Sequence, residues 1–168
     1  MEKFKEKILN SKYIYEGSIL NLRKDKVKLY NNHETYREVV EHSGGVAVTP
    51  VTKEGKILMV KQYRIAVDEI ILELPAGKLE EDEDVKKCAA RELEEETGFR
   101  PSEINELFHF YTTPGYSSEK LHLFIANGLE HFGQNLDQGE YIEIVELDKE
   151  EIIPNIINGK IKDSKTIK

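Results

Sequence analysis

Glu92, Glu95 and Glu96 are spaced so that a helix would gather their carboxylates. At about 100° per residue, Val85, Cys88, Ala89 and Leu93 form the apolar stripe of a helix over Asp84–Thr97. Glu92 and Glu96 fall inside that stripe and Glu95 on its edge, whereas Glu94 points the opposite way. Carboxylates desolvated side by side are costly and repel one another. The face therefore calls for positive charge, either a hard divalent ion with oxygen ligands or a network of Lys and Arg from elsewhere in the chain. The ion is the economical solution, because Mg2+ takes a few carboxylates and leaves its other positions to water and phosphate. Residues 77–99 hold nine acids against four bases, so this one segment is markedly acidic.

Other chemistries find less support. His33, His42, His109, His122 and His131 show no helical metal-ligand spacing, and with a single cysteine a structural zinc site is not expected. Cys88 sits in the apolar stripe and reads as a small core residue. The chain carries no Ser-His-Asp arrangement and no Gly-Lys-Ser/Thr phosphate loop.

The elements that must position the carboxylates are also legible. Tyr13–Tyr15, Ile19–Leu29 and Tyr36–Glu41 read as strands, with Asn31-Asn32 turning between the last two. After Ser43-Gly44-Gly45 the pattern predicts buried strands at Val46–Val51 and Lys56–Ile65, and a short one at Glu69–Leu74 closed by Pro75-Ala76-Gly77. Gly98 and Pro101 are read as the stop of the helix. Strands are expected at Ile104–Tyr111, Lys120–Ala126 and Tyr141–Leu147. A last helix opens on an Asp148/Glu151 capping box and runs to about Asn158, with Pro154 a kink point and Gly159 its cap. The order describes an α+β core, residues 44–168, behind an antiparallel β extension, residues 1–43.

The chain of 168 residues is of one-domain size, and its formal charge of −8 argues against a general nucleic-acid coat or an anionic-membrane binder. No apolar run approaches the roughly 20 residues of a bilayer-spanning helix. The charged opening Met1–Lys7 lacks an apolar run behind it, and the single cysteine suits a reducing compartment. A cytoplasmic protein is the expectation, with neither membrane nor nucleic acid as partner.

Gly77-x5-Glu83-x7-Arg91-Glu92-Leu93-x-Glu95-Glu96-x-Gly98-Phe99 resembles the Nudix box at each of its nine defined positions. The family cleaves a nucleoside diphosphate linked to another moiety, using Mg2+ or Mn2+. The resemblance implies an α/β/α sandwich around a mixed sheet, with the box as a loop–helix–loop. It implies metal binding by Glu92, Glu95 and Glu96, joined in some branches by the Ala76 carbonyl, with Arg91 and Glu83 orienting the ligands.

Outside the box, Pro114, sixteen residues after Gly98, resembles the ADP-ribose pyrophosphatase branch. So do Leu74-Pro75-Ala76-Gly77, Gln62-Tyr63-Arg64, Tyr36-Arg37-Glu38 and the closing Gly159–Ile167. That branch implies hydrolysis of ADP-ribose to AMP and ribose 5-phosphate. It also implies Arg37 and Arg64 on the phosphates or the adenine edge, Tyr13 and Tyr15 as base-binding aromatics, and a two-fold homodimer through the β extension. Glu140, before the last strand, aligns as the base that activates water, with Glu119 on the Pro114 loop in reserve. Two alternatives stay open: a pyrophosphatase for another nucleoside diphosphate sugar or a broader range, and a non-catalytic ADP-ribose sensor.

Overall fold

In the computed structural model, residues 2–168 are described, so the charged opening read from Met1 starts just outside that range. The chain divides into two compact units, Gly45–Phe110 with Leu121–Lys168, and Met1–Gly44 with Tyr111–Lys120. That the segment Tyr111–Lys120 groups with the N-terminal strands was not visible in the linear pattern.

The larger unit is built on alternation. Strand β4 (Gly45–Pro50) sends Val46 and Val48 into one apolar cluster and Ala47 into another. Strand β5 (Ile57–Arg64) does the same with Leu58 and Met59. Helix α1 (Val85–Thr97) supplies Cys88, Ala89 and Leu93 to the first cluster. Helix α2 (Lys149–Ile157) lays Ile152 and Ile156 on the second. Successive side chains of a strand point to opposite faces, so apolar residues on both faces demand a cover on each. This is the α/β/α layering that the family resemblance implies.

Two sheets make the middle. One has the order β10-β5-β6, with β6 at Glu69–Glu73 and β10 at Ile142–Leu147. The other joins β7 (Ala76–Lys78), β8 (Phe99–Tyr111) and β9 (Lys120–His131) to β4 in the order β7-β4-β9-β8. It is mixed, since β4 runs parallel to β9 and antiparallel to β7. Here the structure corrects three expectations. Ala76–Lys78 does not merely close a strand; it is itself strand β7, paired with Gly45–Ala47. Strand β8 begins at Phe99, straight after the helix, and runs through Pro101 to Tyr111. It lies at a sheet edge, where the missing N–H of proline costs little. Strand β9 extends from Lys120 to His131, five residues beyond the predicted end.

Asp148 and Glu151 form their capping box, and Pro154 sits inside α2 without ending it. A final turn, α3 (Ser164–Ile167), is capped by Asp163. Its Thr166 hydroxyl accepts from the Leu74 N–H at 2.9 Å, which anchors the C-terminal segment beside β6.

The smaller unit is an antiparallel sheet of β1 (Lys7–Glu16), β2 (Leu20–Lys28) and β3 (Glu34–His42). Val27 is its buried apolar residue, with Asp25 beside it. Every position of β1 is exposed, including Ile8, Tyr13, Ile14 and Tyr15.

Candidate active site

Helix α1 starts where the Asp84 carboxylate accepts from the N–H groups of Lys86 and Lys87, at 3.1 and 3.0 Å. Such a cap satisfies donors that the first turn leaves free. The helix ends at Gly98, whose φ of 74° is left-handed and whose N–H reaches the Glu94 carbonyl at 2.7 Å. Between these ends Glu96 is buried, Glu92 is largely covered, and Glu95 is more open. Glu94 turns away and holds Arg100 through two bonds of 2.6 and 2.7 Å.

One guanidinium organises the acidic face. Arg91 donates from Nε and Nη2 to both oxygens of Glu83, at 2.9 and 3.0 Å. Its Nη1 reaches Glu92 at 2.8 Å and Glu95 at 2.9 Å. A planar fork of five donors is the side chain suited to this. The hydrogen bonds from Arg91, helped by one from the Glu80 N–H, hold the Glu83 carboxyl down at about 2. Cys88, behind this network, has its thiol pushed up to about 12 by burial and by Glu83, so it is an inert core thiol.

Glu96 differs from its neighbours. Its Oε2 accepts from the Ala76 N–H at 2.9 Å. Even so, burial, reinforced by the charges of Glu92 and Glu140, pushes its carboxyl up to about 8. Burial also raises Glu92, with Glu95 and Glu140 adding repulsion against the pull of Arg91. Gly77 lets the strand pass over this face, since a Cβ there would lie 1.8–2.2 Å from the Glu92 carboxylate atoms.

Glu140 thus shares the electrostatics of the α1 carboxylates. It comes from the loop before β10, and that loop is tied to the end of α1. Gln134 Nε2 donates to the Glu96 carbonyl at 2.6 Å, and the Asn135 N–H to the Glu95 carbonyl at 3.0 Å. The Glu140 carboxylate accepts from the Asp137 N–H at 3.3 Å. Beside it opens a cleft of about 680 Å³, lined among others by Lys61, Tyr63, Leu136 and Tyr141.

Glu92, Glu95 and Glu96 all offer oxygen, two of them with carboxyls held above their ordinary range. A donor set of hard, mutually repelling carboxylates fits a hard divalent cation. Ala76 meets the cluster through its N–H to Glu96.

Arg64 lies in the same unit but is engaged: Nε and Nη2 grip both oxygens of the buried Glu73, at 2.8 and 3.0 Å, and Lys165 joins the same carboxylate. It also acts favourably on Glu96 through its charge. Sequence reasoning missed Glu73 because its partners, the Arg64 and Lys165 side chains, reach it from elsewhere in the chain.

The other expected site residues belong to the smaller unit. The Tyr13 hydroxyl donates to Glu41 at 2.9 Å, and Arg23 holds Glu41 and Asp25. Tyr15 is exposed, its ring lying against Gly17. Arg37 pairs with Glu6 at 2.6 Å. Pro114 is exposed in a turn closed by the Ser117 N–H on the Thr113 carbonyl, at 2.9 Å. Glu119 accepts from the Thr112 hydroxyl at 2.5 Å, with His42 Nδ1 at 3.9 Å.

Comparison with known proteins bears on this geometry. A model described as NUDIX domain matches residues 41–167. A methanol dehydrogenase activator of Bacillus methanolicus is 42% identical over 98% of this chain and 90% of its own length. An ADP-ribose pyrophosphatase of Bacillus subtilis (strain 168) is 39% identical over 99% of this chain and 91% of its own. Among solved structures, an ADP compounds hydrolase superposes with a TM-score of 0.86 at 19% identity, covering 97% of this chain and 89% of that one, a likeness of fold.

Proposed function

The chain belongs to the Nudix family, and from that premise we propose that it hydrolyses the diphosphate of ADP-ribose to AMP and ribose 5-phosphate with Mg2+. One observation carries the reading: the buried, proton-retaining Glu96 set among Glu92, Glu95 and Glu140 on a helix that otherwise packs as core. The near full-length likeness to an ADP-ribose pyrophosphatase directs the choice of substrate.

In this reading Glu92, Glu95 and Glu96 hold the ion, and Arg91, clamped by Glu83, fixes the first two in place. When bound, a divalent cation supplies positive charge against the diphosphate oxygens and the charge that develops on the leaving phosphate. The Ala76 N–H orients Glu96, and Gly77 leaves room for Glu92. Glu140 orients the attacking water and takes its proton. The cleft beside Glu140 receives part of the nucleotide. Arg64 contributes positive charge toward the phosphates from its seat on Glu73. In the smaller unit, Arg37, Tyr13, Tyr15 and Pro114 form the substrate-binding set and Glu119 is the reserve base.

The test is a product screen of the purified protein with Mg2+ or Mn2+ against ADP-ribose, nucleotide sugars, NADH and dinucleoside polyphosphates. AMP with ribose 5-phosphate as the fastest products supports the reading; inert ADP-ribose beside a cleaved nucleotide sugar removes it. The likeness to a methanol dehydrogenase activator favours a second reading, in which the same hydrolysis serves to activate a partner dehydrogenase. Adding the protein to such a dehydrogenase, with and without Mg2+, separates the two.

Gly77→Ala follows from the close approach of strand β7 to Glu92. The added methyl must displace the flexible carboxylate, so the fold should persist while Mg2+ affinity drops roughly 10-fold, the scale of a lost ligand-orienting contact. Thermal melts across a Mg2+ titration measure both. An unchanged midpoint would show that Glu92 does not hold the ion where it lies.

The proposal extends to assembly and location. A ten-residue edge strand exposed at every position is a surface that proteins cover, and a three-stranded sheet with one buried apolar residue buries little core. We therefore read the β extension, residues 1–43, as the dimer-forming part of a two-fold homodimer. Light scattering at micromolar concentration should return twice the chain mass; a monomer refutes it. Among the described residues no helix is long and apolar enough to cross a membrane, and the cytoplasm is the proposed compartment.

A further inference from the structure

Away from the carboxylates of α1, the pairing of β8 with β9 brings together three side chains that the function above does not use. Glu106 and His109 come from β8 and His122 from β9. His122 Nδ1 lies 2.7 Å from Glu106 Oε1, and His109 Nδ1 lies 3.5 Å from the same oxygen. The two imidazole rings are 5.3 Å apart, and the three ligand atoms all fall within 4.8 Å of one another. We propose that Glu106, His109 and His122 form a second metal site, for a late first-row divalent cation of the Zn2+ class.

The geometry is near what such an ion needs. With ligand bonds of about 2.0–2.2 Å, neighbouring donors of a tetrahedral zinc site stand roughly 3.4 Å apart. The His109 contact already has that spacing. The His122 contact needs to open by roughly 0.7 Å to reach it. Glu106 and His109 are exposed, so their side chains can make the adjustment without disturbing the core. His122 is the more covered member and serves as the fixed post.

A change of phase in β8 makes the site possible. Ile104 packs in the α1 cluster and Phe110 against the α2 cluster, although residues six apart in a regular strand share a face. The alternation therefore slips between them. The slip lets Glu106 and His109, three residues apart, meet the same neighbour. This is why the sequence, scanned for helical spacing of histidines, gave no hint of the site.

Donor chemistry separates the two sites. Two imidazoles and one carboxylate suit Zn2+, Cu2+ or Ni2+, whereas an all-oxygen set suits Mg2+. Three protein ligands leave one tetrahedral position open to solvent, so the ion should exchange rather than lock the fold.

The test uses the full chain, stripped with chelator and held in excess Mg2+ to occupy the α1 carboxylates. Calorimetric titration with Zn2+ alone should show one equivalent bound. His109→Gln should weaken that step by more than the roughly 10–100-fold typical of losing an outer-shell partner. His122→Gln should do the same, while His33→Gln, on an exposed turn, should leave it intact. His109 is exposed, so His109→Gln should keep the wild-type melt and the wild-type Mg2+-dependent hydrolysis. With Co2+ as the probe, the wild type should give the visible bands of a tetrahedral site and His109→Gln should not. Zn2+ uptake by His109→Gln equal to wild type overturns the proposal. So does the absence of any uptake by the wild type in excess Mg2+, or an equal loss in His33→Gln.

Discussion

Glu96→Gln is expected to lower turnover by at least about 10²-fold, the scale of removing one preorganised charge-stabilising group from an active site, while raising the melting temperature of the metal-free protein at pH 8. The second effect has the opposite sign to most losses at a buried charge. Glu96 is buried with Glu92 and Glu140 near it, and its carboxyl is pushed from 4.5 to about 8. A carboxyl raised in the folded state holds a proton that the unfolded chain has already released. Its contribution is therefore fully present below pH 4.5 and is lost as the pH rises toward 8. The metal-free wild type should melt progressively lower across that window. Glu96→Gln, isosteric and never charged, should show a flatter profile. Mg2+ should restore the wild type at pH 8, because a ligand of the native state raises its midpoint, and should move the variant far less. Melts at pH 5.5 and pH 8, with and without Mg2+, give the four values. Parallel pH profiles for the two proteins, or equal Mg2+ shifts, would remove Glu96 from the ion-binding set.

The same residue explains why the core of the site could be read from the chain. Helical periodicity is a local property: Cys88, Ala89 and Leu93 define the buried face within two turns, and Glu92 and Glu96 stand out because they share it. The α/β/α layering came instead from the resemblance to the Nudix family, the chain pattern giving only a buried strand at Val46–Val51. Its physical reason is that β4 sends Val46 and Val48 into one apolar cluster and Ala47 into another, so each face needs a cover. What stayed hidden depends on partners far along the chain. Strand β7 is three residues long and exists through its pairing with Gly45–Ala47. Pro101 reads as a stop and lies within a strand because β8 takes the sheet edge. Arg64 is read as a substrate-binding group from the family resemblance, but its side chain reaches Glu73, which stands opposite Val60 in the β5–β6 register, and Lys165 arrives from the other end of the chain. Pattern within a segment shows which face is buried; it does not show which segment arrives to meet it.

Glu140→Gln should lower kcat by roughly 10²–10⁴-fold with little change in KM for ADP-ribose, as expected when a group acts mainly in the transition state. The loop that carries it is fastened to the last turn of α1 through Gln134 and Asn135, so its distance from the Glu96 segment is constrained. Its charge is felt by both Glu92 and Glu96. Its carboxylate is held by a 3.3 Å contact to the Asp137 N–H, a weak restraint that leaves it able to reorient toward a water. Glu119 is held differently, by a 2.5 Å bond from the Thr112 hydroxyl within the N-terminal unit. Glu119→Gln should therefore have the smaller effect on kcat. Initial rates over a range of ADP-ribose at saturating Mg2+ separate kcat from KM for both variants. The Mg2+ shift of the melt adds a second axis: a base leaves it unchanged, whereas an ion ligand diminishes it. Near-normal kcat in Glu140→Gln together with a large loss in Glu119→Gln would transfer the base to the Pro114 loop. A lost Mg2+ shift in Glu140→Gln would instead place Glu140 with Glu92, Glu95 and Glu96 among the groups that hold the ion.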